Sequence, residues 1–392
     1  MDLLNYQNTE LSSTFKAISI ATHSPINAHF SKNADDFVVR EMPLYEASGA
    51  GEHMLIHAQK KGLTTKEMLS AFSAFLGVKV HDIGFAGLKD KEGLTSQFIT
   101  IPAKFCANLE NFSHPNIKIL STKAHNNKLR LGHLKANSFF IRLKKVSPTD
   151  ALKLENACKN AEISGVPNYF GYQRFGKFGD NAKKGYEILR EMKNGKKPRF
   201  NPRMCNFLIS AFQSELFNRH LALRVEISHI CKSCSPKEIK EFCNNFGINE
   251  SLEFFKALKN QEQFFKLFKG DALGHYPLGA IFTCDDLDAE ISAFQARRKS
   301  PQGALFGKKM FSAYGVAQSL ENIIISPFSD ALEQMRGTRR HAIIWADNIK
   351  YKYDQQNAHF HLEFELPKGS YATNFLREIL GRDDIFEFFE DD

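Results

Sequence analysis

The sequence predicts an α+β fold, with helices packed on a sheet whose strands come from both ends of the chain. Strand and helix patterns alternate over the first part, the pattern becomes helical after Gly179, and strand patterns return from residue 343 onward. We therefore expect an insertion between two halves of one sheet domain. Residues 1–194 and 343–392 would form that domain, and residues 195–342 would form the insertion.

Short apolar runs predict three strands in the first part, at residues 37–39, 54–56 and 97–101. Between the second and third of them, Thr64 and Glu67 form a capping box, which is a start signal for a helix, and Gly77 marks the end of that helix. Asp90 lies in the loop before the third strand. A loop held by rigid elements is a suitable place from which to present a reactive side chain.

Later patterns are equally local. Alternation of Phe139, Ile141 and Leu143 with basic residues predicts a strand with one buried and one basic face. Ser210 and Gln213 predict a second capping box that opens a helix over residues 211–224, and alternation over residues 360–366 predicts a late strand.

The composition favours a polyanionic partner. The chain has 392 residues, enough for about two domains, and a formal net charge of +8. Its cations gather in stretches at residues 123–145 and 183–203. Neutralising phosphates releases counterions and drives association, so nucleic acid is the natural partner, although many basic proteins bind none.

No apolar window reaches the roughly 18 residues that a membrane-spanning helix needs, and the first residues lack the pattern of an export signal. Seven scattered cysteines fit reduced thiols better than a disulfide framework. We expect a cytoplasmic protein without membrane contact. A zinc site at His229, Cys231, Cys234 and Cys243 is an alternative, which the irregular spacing disfavours.

The most informative run is residues 84–97, GFAGLKDKEGLTSQ. Gly84 and Gly87 allow the backbone to approach another segment closely, and Lys89 and Lys91 flank Asp90 and would keep it ionised. Taken alone, the run could be a solvated charge cluster in a turn.

A second run, residues 165–176 with the sequence GVPNYFGYQRFG, changes that interpretation. The two runs together resemble the signatures of the TruD family of tRNA pseudouridine synthases, in which an Ala-Gly-x-Lys-Asp run carries the catalytic aspartate. Weaker resemblance covers most of the chain, including residues 36–41, 51–53, 128–135 and 366–373.

The resemblance implies a pseudouridine synthase core, with a mixed, largely antiparallel sheet flanked by helices, and an inserted α/β TRUD domain that forms a cleft. It implies isomerisation of uridine to pseudouridine in tRNA, at position 13 of the D arm. The reaction requires no metal or other cofactor, and no obligatory protein partner is implied. The aspartate acts as a nucleophile or removes a C2′ proton, and both mechanisms stay open.

The resemblance also assigns roles to individual residues. Asp90 would be catalytic, Phe170 would stack on the base, and Asn168 would organise the site through hydrogen bonds. Without the resemblance, Phe170 would be a core residue and Asn168 a turn residue. Gln97 and Lys89 are secondary candidates for the site. The candidate RNA contacts are Lys128, Arg130, Lys135 and Arg174.

The chain departs from the family pattern at Ser31, where several members carry a lysine that serves as a basic partner of the aspartate. Lys32 is adjacent, but neighbouring strand residues point to opposite faces. Arg40, Lys89 or Arg174 could supply the charge instead.

Two other functions compete with the synthase. A non-catalytic RNA chaperone would need the basic surface but neither Asp90 nor Asn168. A metal-dependent nuclease would need clustered carboxylates such as Asp82, Asp90 and Glu92, and the flanking lysines disfavour a dication there.

Overall fold

The computed structural model describes Tyr6, Leu11, residues 17–176 and residues 178–382. The strands are β1 (His29–Phe30), β2 (Phe37–Pro43), β3 (His53–Lys61), β4 (Gly84–Phe85), β5 (Leu94–Pro102), β6 (Ile117–His125), β7 (Leu134–Lys144), β8 (Val166–Pro167), β9 (Ala272–His275), β10 (Ile281–Thr283), β11 (Lys299–Leu305), β12 (Thr338–His341), β13 (Ile343–Ile344), β14 (Asp347–Asp354) and β15 (His359–Pro367).

The α-helices are α1 (Thr65–Leu76), α2 (Pro148–Ser164), α3 (Asn181–Lys193), α4 (Pro202–Ser233), α5 (Pro236–Asn244), α6 (Leu252–Asn260), α7 (Leu287–Gln295), α8 (Gly315–Ile325) and α9 (Ala372–Leu380). The 3₁₀ helices span Val80–Asp82, Ala103–Phe105, Leu109–Asn111, Tyr172–Arg174 and Ser326–Gln334.

The chain divides into two compact units. The sheet unit comprises Pro25–Glu162 and Ala346–Ala372. The helical unit comprises Ile163–Trp345, and residues 17–24 and 373–382 also belong to it. Compactness does not define where an insertion begins, so the boundaries at residues 195 and 342 stay a prediction.

The sheet unit holds nine of the described strands in one sheet. The order is β14-β15-β7-β2-β5-β3-β6, with β1 paired to β7 and β4 paired to β5. β2 and β5 run parallel, and the other pairs are antiparallel. A mixed, largely antiparallel sheet flanked by helices confirms the predicted fold class.

The predicted early elements are confirmed. The three apolar runs lie in β2, β3 and β5. Thr64 and Glu67 form both hydrogen bonds of the capping box, and Gly77 ends α1 in the left-handed conformation. α1 packs on one face of the sheet through Met68 and Phe72, which join Ile56 and Ile99 in a buried cluster.

The basic face predicted for β7 is partly neutralised. Asp36 is fully buried, and Arg142 and Lys144 both form ion pairs with its carboxylate. Asn33 donates a further hydrogen bond to it at 2.8 Å. A buried charge requires such partners, so these two cations serve the fold.

The predicted helix start at Ser210 is wrong. α4 begins nine residues earlier, with Asn201 as the N-cap whose side chain accepts a hydrogen bond from the Met204 amide. Ser210 lies inside the helix, and its hydroxyl donates to the Phe207 carbonyl at 2.8 Å. A capping-box pattern inside a helix is thus satisfied by a local hydrogen bond within the preceding turn.

The helical unit is organised around α4. Its four-stranded sheet, β10-β9-β11-β12, lies against this helix through β11, and β8 pairs separately with β13. Buried ion pairs fix the arrangement: Arg224 contacts Asp271 at 2.7 Å, and Arg339 of β12 pairs with Glu321 of α8.

Gly84 allows the closest approach of the Asp90 loop to a neighbouring segment. A Cβ at this position would collide with the Thr100 hydroxyl and lie 2.6 Å from the Leu129 carbonyl oxygen. At Gly87 the nearest atom would be the flexible end of Lys89, 3.3 Å away. The glycine motif is therefore sterically demanding at its first position only.

Gly84→Ala should lower the free energy of unfolding by about 1–3 kcal/mol, because the added methyl group overpacks a rigid backbone contact. Gly87→Ala is the matched control and should change it by less than about 1 kcal/mol. Urea denaturation measures both. Equal effects of the two substitutions would contradict the assignment of Gly84 to this contact.

Candidate active site

Asp90 lies in the loop between β4 and β5 of the sheet unit, and its side chain is exposed. The loop begins at the buried Ala86, whose carbonyl accepts a hydrogen bond from the Gly132 amide at 2.8 Å. The carboxylate is therefore carried by a loop whose base is held by an adjoining segment, as the sequence predicts.

Lys60, at the end of β3, anchors this loop. Its side chain is buried, and its ammonium group donates to the carbonyl oxygens of Leu63 at 2.6 Å and Asp90 at 2.5 Å. Burial lowers the pKa of Lys60 to about 8, while the negative charge of Asp90 acts in the opposite direction. A cation thus lies directly beneath the candidate catalytic residue.

Sequence analysis missed Lys60, although a signal was present. Ile56, Ala58 and Lys60 alternate along β3 on its buried face. A lysine at a position where the period predicts an apolar side chain must find acceptors inside the protein. Such a residue next to a candidate catalytic loop could have been chosen on that ground.

The predicted secondary candidates Lys89 and Gln97 belong to the same loop support. The Lys89 ammonium lies 2.7 Å from Glu41 Oε2, so its charge balances a buried carboxylate. Gln97 is fully buried and accepts a hydrogen bond from the Thr65 hydroxyl at 2.8 Å. The Lys89 amide donates to that same hydroxyl at 2.8 Å. Thr65 thereby links the start of α1 to the loop.

The position of the family lysine, Ser31, and the cations predicted to replace that lysine have different surroundings. Ser31 accepts a hydrogen bond from the Asn33 amide at 3.3 Å. Arg40 is exposed on β2, and Arg174 lies in the helical unit. Lys60 contacts the Asp90 loop through a hydrogen bond to its backbone.

Three candidate RNA contacts lie in the sheet unit. Lys128 donates to the His81 carbonyl at 2.6 Å, and Arg130 and Lys135 are exposed. Their segment adjoins the Asp90 loop, since the Leu129 amide donates to the Thr100 hydroxyl at 2.9 Å beside Gly84. Exposed cations at the base of this loop fit a role in holding phosphates.

Asn168 and Phe170 lie in the helical unit, just after β8. Both side chains are buried. Asn168 donates to the His341 carbonyl at 3.0 Å, and the ring of Phe170 packs edge-to-face on Phe217. Asn218 holds the Phe170 backbone by accepting from its amide at 2.8 Å.

Arg340 of β12 joins these two residues. Its guanidinium donates to Asn168 Oδ1 at 2.7 Å and to the Asn168 carbonyl at 3.2 Å, and it lies 4.1 Å from the ring centroid of Phe170. Arg174, a predicted RNA contact, lies 5.3 Å from the same ring. Arg340 is 172 residues from Asn168 in sequence, so no local pattern could have identified it.

The alternative metal sites find little support in the described part of the chain. Within those residues, no group of three or more His, Cys, Asp or Glu side chains is arranged to hold a metal ion. Burial raises the pKa of the Cys231 thiol to about 11 and that of Cys243 to about 12.

No described helix is long and apolar enough to cross a bilayer.

Comparison with known proteins agrees with the two motifs. The family model for tRNA pseudouridine synthase D (TruD) matches residues 17–195 and 280–379. The tRNA pseudouridine synthase D of Campylobacter jejuni is 55% identical over 382 residues, which cover 96% of this chain and 99% of that protein. The protein of the same name from Wolinella succinogenes is 43% identical over 361 residues, covering 92% and 97%.

The fold is shared with a solved TruD structure from Methanosarcina mazei, which is 19% identical and has a TM-score of 0.67 over 95% of this chain and 98% of its own. Fold, motifs and sequence identity together define the class of protein as a pseudouridine synthase. The chain belongs to the tRNA pseudouridine synthase D (TruD) family. The predicted family is confirmed.

Lys60 predicts a pH dependence of activity. As the pH rises through about 8, the ammonium group beneath Asp90 loses its proton, and we expect kcat to fall. Lys60→Met should have a lower kcat at neutral pH and should lack this alkaline limb. Steady-state rates between pH 6 and about 9.5 measure both effects.

Unfolding cannot produce the same limb through Lys60. The pKa of Lys60 in the folded protein is about 8, below its ordinary value of 10.5. Between these two values the unfolded chain binds more protons, so this group makes the folded state more stable as the pH rises. Identical pH profiles for the wild type and Lys60→Met would contradict the assignment.

Arg340→Met should lower kcat by about 10- to 100-fold, because it releases Asn168 and the ring of Phe170 from their common partner. Arg340→Lys keeps the charge but loses the fork of donors, so it should recover only part of the rate. Arg336→Met, an exposed position on the same segment, is the control. If the unfolding midpoint of Arg340→Met fell and kcat per folded molecule did not change, Arg340 would have a purely structural role.

Proposed function

We propose that this protein isomerises uridine to pseudouridine in tRNA, at position 13 of the D arm, with Asp90 as the reacting carboxylate. The observation that carries the proposal is the 55% identity over nearly the full length to proteins named tRNA pseudouridine synthase D. The exposed Asp90 on an anchored loop supports the choice of catalytic residue.

The reaction breaks the bond between ribose C1′ and uracil N1 and forms a bond between C1′ and C5. The proton displaced from C5 is balanced by protonation of N1, so the oxidation state does not change. The carboxylate either attacks C1′, which releases the base, or removes a C2′ proton and later returns it. These steps need no cofactor.

The residues around Asp90 would serve this chemistry by fixing the loop. Lys60 would hold the Asp90 backbone and supply the positive charge that other family members place at the position of Ser31. Lys89 and Gln97 would support the loop through Glu41 and Thr65. We assign all three as positioning residues.

In the helical unit, Phe170 would receive the base and Asn168 would organise its surroundings. A uracil beside Phe170 would meet the guanidinium groups of Arg174 and Arg340, which can donate to its carbonyl oxygens. Removing a base from its stack requires such a platform, because stacking and pairing must be replaced.

The tRNA backbone would contact Lys128, Arg130, Lys135 and Arg174, all of which present cations in the described structure. We expect the reaction to take place in the cytoplasm, where the seven free cysteines would stay reduced.

The deciding experiment is pseudouridine mapping on unmodified tRNA transcripts, by carbodiimide modification followed by reverse transcription. The wild type in the presence of a chelator should give a stop at position 13 of the D arm. Tight binding without any stop would favour the RNA chaperone, and cleavage of the transcript that requires added Mg²⁺ would favour the metal-dependent nuclease.

Asp90→Asn should lower kcat by at least about a hundredfold, because the amide can neither attack C1′ nor accept a proton. The affinity for tRNA should stay within about tenfold, because phosphate contacts dominate it. Asp82→Asn changes a nearby carboxylate in the same manner and should keep its activity. Loss of binding together with the fold in Asp90→Asn would make Asp90 a structural residue.

A further inference from the structure

Helices α3 and α4 pack against each other as a hairpin in the helical unit. Ile188 of α3 packs with Cys205 and Leu208 of α4 in a buried cluster, and Phe200 of the connection packs against it. The connection between the two helices is therefore packed on the hairpin through Phe200.

The tip carries a concentration of exposed cations. Residues 190–203 contain six basic side chains against a single carboxylate, Glu191. All six are exposed: Arg190, Lys193, Lys196, Lys197, Arg199 and Arg203. Among the described residues, no carboxylate forms an ion pair with any of them.

Folding accounts for two of these cations. Arg190 and Lys193 lie in the last turn of α3, where positive charge stabilises a helix. The other four, which we call the hairpin cations, are Lys196, Lys197, Arg199 and Arg203. Arg203 lies in the first turn of α4, where positive charge is unfavourable and no acidic residue offsets it, and the other three lie in the connection before this helix. Helix stability does not explain them.

One face of α4 connects the hairpin cations to the predicted base site around Phe170. Arg203, Phe207 and Ser210 lie on one face of α4, at spacings of four and three residues. Phe207 is 40% exposed and follows Arg203 by one turn of the helix. The Ser210 hydroxyl accepts a hydrogen bond from Arg174 at 3.3 Å, and Arg174 lies 5.3 Å from the ring of Phe170.

We propose that the hairpin cations and Phe207 form a docking surface for the sugar-phosphate backbone of the RNA, next to the nucleotide that Phe170 receives. Exposed cations would neutralise phosphates, and the exposed ring would lie against a sugar or a base. The proposal rests on the proposed function, because tRNA supplies the backbone. Residues 196–279 fall between the two segments that match the family model, so that match does not assign this surface.

The test is a triple variant, Lys196→Gln, Lys197→Gln and Arg199→Gln, with binding of an unmodified tRNA transcript measured at several salt concentrations. The slope of log K against log salt should become shallower by about 2–3, because each lost phosphate contact removes about 0.9. KM for the transcript should rise by more than kcat falls. Arg203→Gln alone should reduce the slope by about 1.

The control is Lys232→Gln, Lys237→Gln and Lys269→Gln, which removes the same charge from exposed positions of the same unit. Its slope should match the wild type. Equal slopes for the hairpin variant and the wild type, or equal losses in both triple variants, would overturn the proposal. Since binding is measured without turnover, a wild type that forms no pseudouridine would instead refute the proposed function.

Discussion

The buried ammonium group of Lys60 is the interaction on which the candidate active site depends. A cation inside a protein must find acceptors, and here it finds two carbonyl oxygens, one of them on Asp90 itself. The position of the loop is therefore coupled to strand β3 and, through it, to the central sheet. The contact uses the backbone of Asp90, so it fixes the loop through main-chain atoms.

The helical unit uses the same principle at a second place. Arg340 distributes its donors over the side chain and the backbone of Asn168 and places its charge over an aromatic ring. In both units a long basic side chain connects a segment that carries candidate site residues to a strand. Lysine and arginine thus occur in two settings in this chain. A few form buried hydrogen bonds that hold segments in place, and many others are exposed on the surface.

Local patterns predicted much of the fold. The apolar runs of β2, β3 and β5 and the capping box of α1 were readable because each is encoded within about ten residues. The predicted start of α4 was wrong because two sites in the sequence fit the pattern of an N-cap. Ser210 fits it, and Asn201 followed by Pro202 fits it equally well. Choosing between two valid caps requires the tertiary packing of the intervening turns.

The candidate site was predictable as far as its motifs extend. Asp90, Asn168 and Phe170 are carried by short runs, but Lys60 and Arg340 act through contacts that join segments far apart in sequence. A basic residue was expected beside Asp90, and since Ser31 stands at the family position, Arg40, Lys89 and Arg174 were the predicted substitutes. Lys60, on the strand before α1, donates to the Asp90 backbone, and as a buried lysine it is an exception to the apolar period of that strand.

The order of strands has a consequence for synthesis of the chain on the ribosome. β7 pairs on one side with β2, which is made before it, and on the other side with β15, which is made more than 200 residues later. Until residues 359–367 emerge, one edge of β7 has no partner strand, and the backbone groups along it are open to wrong pairing. The Asp90 loop leads into β5 and is held by Lys60 of β3, and both strands have been synthesised at that stage. The nascent chain therefore contains the strands that support its candidate catalytic residue long before it contains the last strands of the sheet.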